Sequence, residues 1–134
     1  MVELVVITHG NLAFALKETS EMLLGEQEHI AVFGLQLGES IEELRDQAAE
    51  AIGRACEAGE VLVITDMISG SPFNIACSLL ERYSFEHLTG INFPLFLEIL
   101  SNRDELSARG LVEMSLNVGG ETIKDAKKYF EEVE

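Results

Sequence analysis

The chain has 134 residues, 47% of them apolar, a length and composition that support one globular core and exclude a disordered segment. Twenty-four acidic against nine basic side chains leave a formal charge of −15. With no basic cluster to offset it, that charge excludes nucleic acid and anionic membrane surfaces as partners. It suits either a merely solvated surface or the steering of a basic partner protein.

Only two cysteines occur, Cys56 and Cys77, both inside helical patterns. They are too few for a disulfide framework or a metal site and read as buried thiols of a cytoplasmic protein. Glu3 sits where a signal peptide would carry basic residues, and no apolar run approaches membrane-spanning length. Neither secretion nor membrane insertion is expected.

In chain order, Val2–Thr8 (V-E-L-V-V-I-T) is aliphatic with no charge after Glu3, the pattern of a strand buried on both faces. His9 and Gly10 end it. Asn11 is the expected N-cap of a first helix with Leu12, Leu16, Thr19 and Leu23 on its apolar stripe, stopped by Gly25. His29–Leu35 reads as a second strand. Ser40 and Glu43 form a capping box for a second helix whose stripe is Ile41, Leu44, Ala48, Ala51, Ile52 and Ala55, ending at Gly59. Glu60–Asp66 (E-V-L-V-I-T-D) is a third strand. Ser71 as N-cap and Pro72 at the first helical position open a third helix, with Leu79, Leu80 and Tyr83 on its apolar face. Phe85–Asn92 is a weaker fourth strand, and Pro94 opens a helix to about Asn102. Leu106–Asn117 and Thr122–Val133 read as one helix or two, with Gly119-Gly120 as the break.

Strands alternating with helices, without repeats or linkers, give a single α/β domain over 1–134 with a parallel sheet covered on both sides. In such sheets ligands gather beyond the carboxyl ends of the strands, where His9 and Asp66 both fall. For the two to meet, strands one and three must be neighbours, which gives the flavodoxin-like order 2-1-3-4. An aspartate against one ring nitrogen sets the tautomer and basicity of a histidine and leaves the other nitrogen as an aimed nucleophile. Ser69, Gly70 and Ser71 then supply small residues and helix-start amides suited to an oxyanion or a phosphoryl group, with Gly10 leaving room beside the ring.

Other chemistries fit less well. A receiver domain with Asp66 as phospho-acceptor needs an acidic pair after strand one to hold Mg²⁺, and Thr8-His9-Gly10 stands there. I-S-G-S-P is no G-x-S-x-G, and neither a P-loop nor a dinucleotide fingerprint occurs. The three histidines, His9, His29 and His87, lie too far apart in sequence to suggest a metal site. Structural readings remain for each piece alone: a strand-end histidine, a capping carboxylate, a turn with an N-cap.

Four motifs carry a family resemblance: V-I-T-H-G at Val6–Gly10, E-M-L-L-G-E at Glu21–Glu26, T-D-M-I-S-G-S-P-F-N at Thr65–Asn74 and G-I-N-F-P-L at Gly90–Leu95. Through them the chain resembles the IIA domain of the mannose-family sugar phosphotransferase system over nearly its full length. The resemblance implies that His9 accepts a phosphoryl group from the histidine phosphocarrier protein and passes it to a IIB component of a sugar permease. It further implies that Asp66 orients His9, that Ser69, Gly70 and Ser71 line the site, and that no metal, nucleotide or other cofactor takes part. Met22 and Asn92 are at most wall residues. Members of the family are homodimers whose sheets gain an antiparallel edge strand from the partner's C-terminus. Here Thr122–Glu134 departs from that pattern and reads as helix with an acidic E-E-V-E end. The phosphotransfer subunit of dihydroxyacetone kinase, which shares the strand-end histidine, is the nearer alternative. A non-catalytic anion-binding module of flavodoxin-like shape is the other.

Overall fold

The computed structural model describes residues 1–133. Its four strands are β1 (Glu3–His9), β2 (Ile30–Leu35), β3 (Val61–Thr65) and β4 (Glu86–Thr89). All pair in parallel, in the order β2-β1-β3-β4. The helices between and after them are α1 (Leu12–Leu24), α2 (Ile41–Ala58), α3 (Ser71–Leu79), α4 (Phe93–Asn102), α5 (Ala108–Val118) and α6 (Ala126–Val133), with a 3₁₀ turn at Gly119–Thr122 before the last.

The strand period of two divides the core between two faces. Leu4, Val6, Leu62, Ile64 and Leu88 pack with α1, α4 and α5 through Leu16, Leu95, Phe96, Ile99 and Leu111. Val5, Ile7, Val61 and Val63 point the other way, against Leu44, Ala48 and Ile52 of α2 and Ile75, Ala76 and Leu79 of α3. Leu4, Val5, Val6 and Ile7 are each no more than 1% exposed, so each contributes about 1.5–3 kcal/mol of burial to the strand that carries His9. Arg103, at the end of α4, is buried as well. Its guanidinium donates to the carbonyls of Val2, His29 and Glu28 and to Gln27 Oε1, clamping the α1–β2 loop onto the start of β1.

Several local expectations are corrected. The buried side of α1 is Ala13, Leu16 and Ser20, while Leu12 and Leu23 face out. Asn11 stands at the N-cap position without capping; its Oδ1 accepts instead from Gln36 Nε2. The free Ala13 amide is met by Thr8 Oγ1 at 2.9 Å. Gly70, not Ser71, is the N-cap of α3, and Ser71 lies in its first turn. Ser40 does cap α2, its Oγ accepting from the Glu43 amide at 3.2 Å. Strand β4 is shorter than Phe85–Asn92, and Leu80 and Tyr83 lie past the end of α3. Both cysteines are half-buried rather than buried. Among the described residues the sheet has no antiparallel edge strand, and residues 126–133, at the C-terminal end, form helix α6.

Candidate functional site

Strand β1 delivers His9 to the carboxyl edge of the sheet, and β3, its neighbour, ends one residue short of Asp66. The two side chains meet: His9 Nδ1 lies 2.9 Å from Asp66 Oδ2, and the same oxygen accepts the His9 backbone N–H at 3.0 Å. Burial raises the Asp66 carboxyl, but the hydrogen bonds and charge of His9 outweigh it and hold the pKa below the ordinary carboxylate value. The carboxylate is therefore ionised at neutral pH, and it holds the proton of the ring on Nδ1. Nε2 is the ring nitrogen on the side away from Asp66. The His9 side chain is 45% exposed and that of Asp66 12%, so the ring faces solvent while the carboxylate that holds it is sheltered.

Gly70 stands against the edge of the ring that carries Nε2. A Cβ built there would lie 2.9 Å from both Nε2 and Cε1, and the φ of Gly70 is +92°. Glycine is thus required twice over, by conformation and by room. Gly70 is also the N-cap of α3, its carbonyl accepting from the Asn74 amide at 3.0 Å. The Ser71 and Phe73 amides precede that bond, and with the helix dipole they favour an anion beside Nε2. Ser69 is exposed and Ser71 half-buried. Gly10, at φ +54°, makes the turn from β1 into α1, and its amide extends the ladder to the Leu35 carbonyl at 2.8 Å.

The structure therefore brings His9, Asp66, Gly10 and Gly70 together and sets Ser69 and Ser71 in the loop and helix start beside them. It does not bring Met22 there: ten positions along α1 from Leu12, it stands about 15 Å away along the axis. Asn92 caps α4, its Oδ1 accepting from the Leu95 amide at 3.0 Å. Sequence reasoning missed Gly34 of β2, where a Cβ would come within 1.9 Å of the Gly10 carbonyl oxygen. An isolated glycine inside a strand pattern is the signal that pointed to it.

Residues 3–116 match the family described as the PTS system fructose IIA component, EIIA-man. The chain belongs to this family. It is 29% identical to the fructose-specific EIIA component of the phosphotransferase system (PTS) of Bacillus subtilis, over 99% of this chain and 92% of that protein. To the mannose-specific EIIAB component of Escherichia coli it is 34% identical, over 94% of this chain but only 40% of that longer protein. A crystal structure of the PTS IIA protein associated with the fucose utilization operon of Streptococcus pneumoniae superposes with a TM-score of 0.80 at 30% identity, covering 97% of this chain and 99% of that one. IIA components are phosphotransferases, phosphoryl carriers in sugar transport, and these matches favour neither the kinase-subunit nor the binding-module alternative. No helix among the described residues is long and apolar enough to cross a membrane.

Proposed function

We propose that this IIA component carries its phosphoryl group on Nε2 of His9 as one cytoplasmic domain. The observation that carries the reading is the ring's tether: Nδ1 is held on Asp66 Oδ2 at 2.9 Å, and the exposed ring sets Nε2 against Gly70. In the transfer the Nε2 lone pair attacks phosphorus of a donor phosphohistidine. The donor N–P bond breaks, its electron pair returns to the donor imidazole, and a new N–P bond forms at His9. The Nδ1 proton stays with His9, where Asp66 offsets the positive charge developing on the ring. The amides at the start of α3, with Ser69 and Ser71, receive the phosphoryl oxygens, and Gly10 keeps the approach clear. The second transfer is the same exchange run outward. Because the reaction swaps one N–P bond for another, the protein's part is positioning and charge stabilisation, with no cofactor.

The donor on this reading is the histidine phosphocarrier protein and the acceptor a IIB component. The chain also pairs with a second copy, a reading supported by the exposed Ile123, Tyr129 and Phe130 around α6, and sedimentation measures it directly. The test of the central claim is intact mass after incubation with phosphoenolpyruvate and the general phosphotransferase proteins. Wild type gains one phosphate, and folded His9→Ala gains none. A normal gain by His9→Ala would move the chemistry to another group.

A further inference from the structure

Beneath the site lies a second imidazole that the transfer does not use. His87 of β4 is half-buried, with Nε2 2.7 Å from Thr65 Oγ1. The fully buried Thr65 hydroxyl donates to Thr89 Oγ1 at 2.9 Å, so it receives the Nε2–H of His87 on a lone pair. His87 Nδ1 is then the acceptor, and the Cys77 thiol of α3 lies 3.9 Å from it. Burial pushes the His87 pKa below its ordinary value, which favours this neutral tautomer. The ring also packs on Phe73, centroid to centroid 5.3 Å. One side chain thus touches both walls of the site. Thr65 immediately precedes Asp66, and its carbonyl is tied to the Gly90 amide at 3.2 Å. Phe73 sits in the turn of α3 that Gly70 opens.

We propose that His87 is a positioning residue for phosphoryl transfer at His9, holding Asp66 in place through Thr65 and the start of α3 through Phe73. This rests on the reading of His9 as the acceptor. Neither ring nitrogen of His87 is free to accept a phosphoryl group itself, since one is spent on Thr65 and the other faces a thiol. Its effect is exerted at the far end of the Thr65–Asp66 peptide, on the hydrogen bond that orients the His9 ring.

Rates of phosphate gain are read by intact mass with two donors, the phosphocarrier protein and the small molecule phosphoramidate. His87→Leu and Thr65→Val remove the bond from either end, and Thr65→Ser keeps it. Both disrupting variants should slow transfer about ten- to a hundredfold with both donors, the range for loss of a supporting hydrogen bond. The double variant should be no slower than His87→Leu alone, because that variant has already broken the link through Thr65. Thr65→Ser should stay close to wild type. The Nδ1–H resonance of His9, seen by nitrogen-15 NMR, should shift or broaden in the slow variants, a change that a general loss of stability would not produce. Where His87→Leu fails to fold, the Thr65→Val and Thr65→Ser pair carries the test alone. Wild-type rates and an unchanged His9 resonance in folded variants would overturn the proposal, and so would slowing with the protein donor only, which belongs to docking. A wild-type chain that takes phosphate from neither donor overturns the reading of His9 as acceptor and the positioning role with it.

Discussion

Asp66 Oδ2 takes two N–H groups from one residue, the His9 backbone and the His9 ring, so the carboxylate fixes where the ring starts and which way it turns. On the proposed mechanism, an amide at this position still offers an oxygen to Nδ1–H but no charge to stabilise the imidazolium character of the transferring state. Asp66→Asn should therefore slow phosphate gain by at least about tenfold while circular dichroism stays native. The pKa adds a separate expectation. A carboxyl held low in the folded state contributes stability above its unfolded value of about 3.9. That contribution is lost as pH falls through the lower folded value. The stability gap between wild type and Asp66→Asn, measured by urea titration, should be full at neutral pH and close in acid. A gap that does not change with pH would mean that the folded carboxyl is not held low. Gly70 makes the complementary point about space. Gly70→Ala places a methyl 2.9 Å from Nε2 at a φ of +92°, so it should block phosphate gain and lower stability by about 1 kcal/mol or more. Phosphorylation at the wild-type rate would show that the loop moves aside at no cost.

Between elements, the β1–α1 turn is locked across β2 by two glycines. The Gly10 carbonyl lies over Gly34, leaving no room for a Cβ, while the Gly10 amide bonds Leu35 and Thr8 Oγ1 caps α1. Gly34→Ala should cost about 1–3 kcal/mol by overpacking, measured by urea titration. Gly59→Ala, whose Cβ meets nothing nearer than 3.9 Å on an extended backbone, is the control and should be nearly neutral. The strands were legible because β1 and β3 are unbroken aliphatic runs, and their order followed from requiring His9 to meet Asp66. What escaped was set by contacts distant in sequence. Helix α1 lies on the sheet through the small Ala13 and Ser20 with Leu16, so its larger Leu12 and Leu23, which dominate the sequence pattern, are turned out. Ser71 carries the better capping side chain, yet the positive φ beside His9 admits glycine and moves the cap back one residue. Arg103 drew no reading at all, because the carbonyls of residues 2, 28 and 29 that receive its buried guanidinium are connected to it by no local pattern.

Across the whole molecule the charge and the site are separated. The loops beyond the carboxyl ends of the four strands, residues 10–11, 36–40, 66–70 and 90–92, contain only Glu39 and Asp66 as acidic residues, and Asp66 is engaged by His9. Most of the −15 charge therefore lies on helices and on the opposite edge. Beside the exposed polar Asn11, Glu39 and Ser69, these loops expose the apolar Leu37, Met67 and Ile68. This arrangement divides the two rates of docking. Charge on the body of the protein acts at long range, so association with a basic phosphocarrier partner should slow as the Debye length shrinks from about 30 Å at 0.01 M salt to about 8 Å at 0.15 M. Dissociation is governed by the contacts desolvated on docking near His9 and should barely respond to salt. Ile68→Asp separates them further. It adds one charge to a protein that already carries −15, which leaves association nearly unchanged, but it places a carboxylate in the apolar rim and should speed dissociation about tenfold or more. Stopped-flow kinetics over a salt series with both proteins measures each rate. An association rate indifferent to salt would reduce the acidic surface to a solubility feature. An unchanged dissociation rate in Ile68→Asp would place the docking contacts away from the β3–α3 loop.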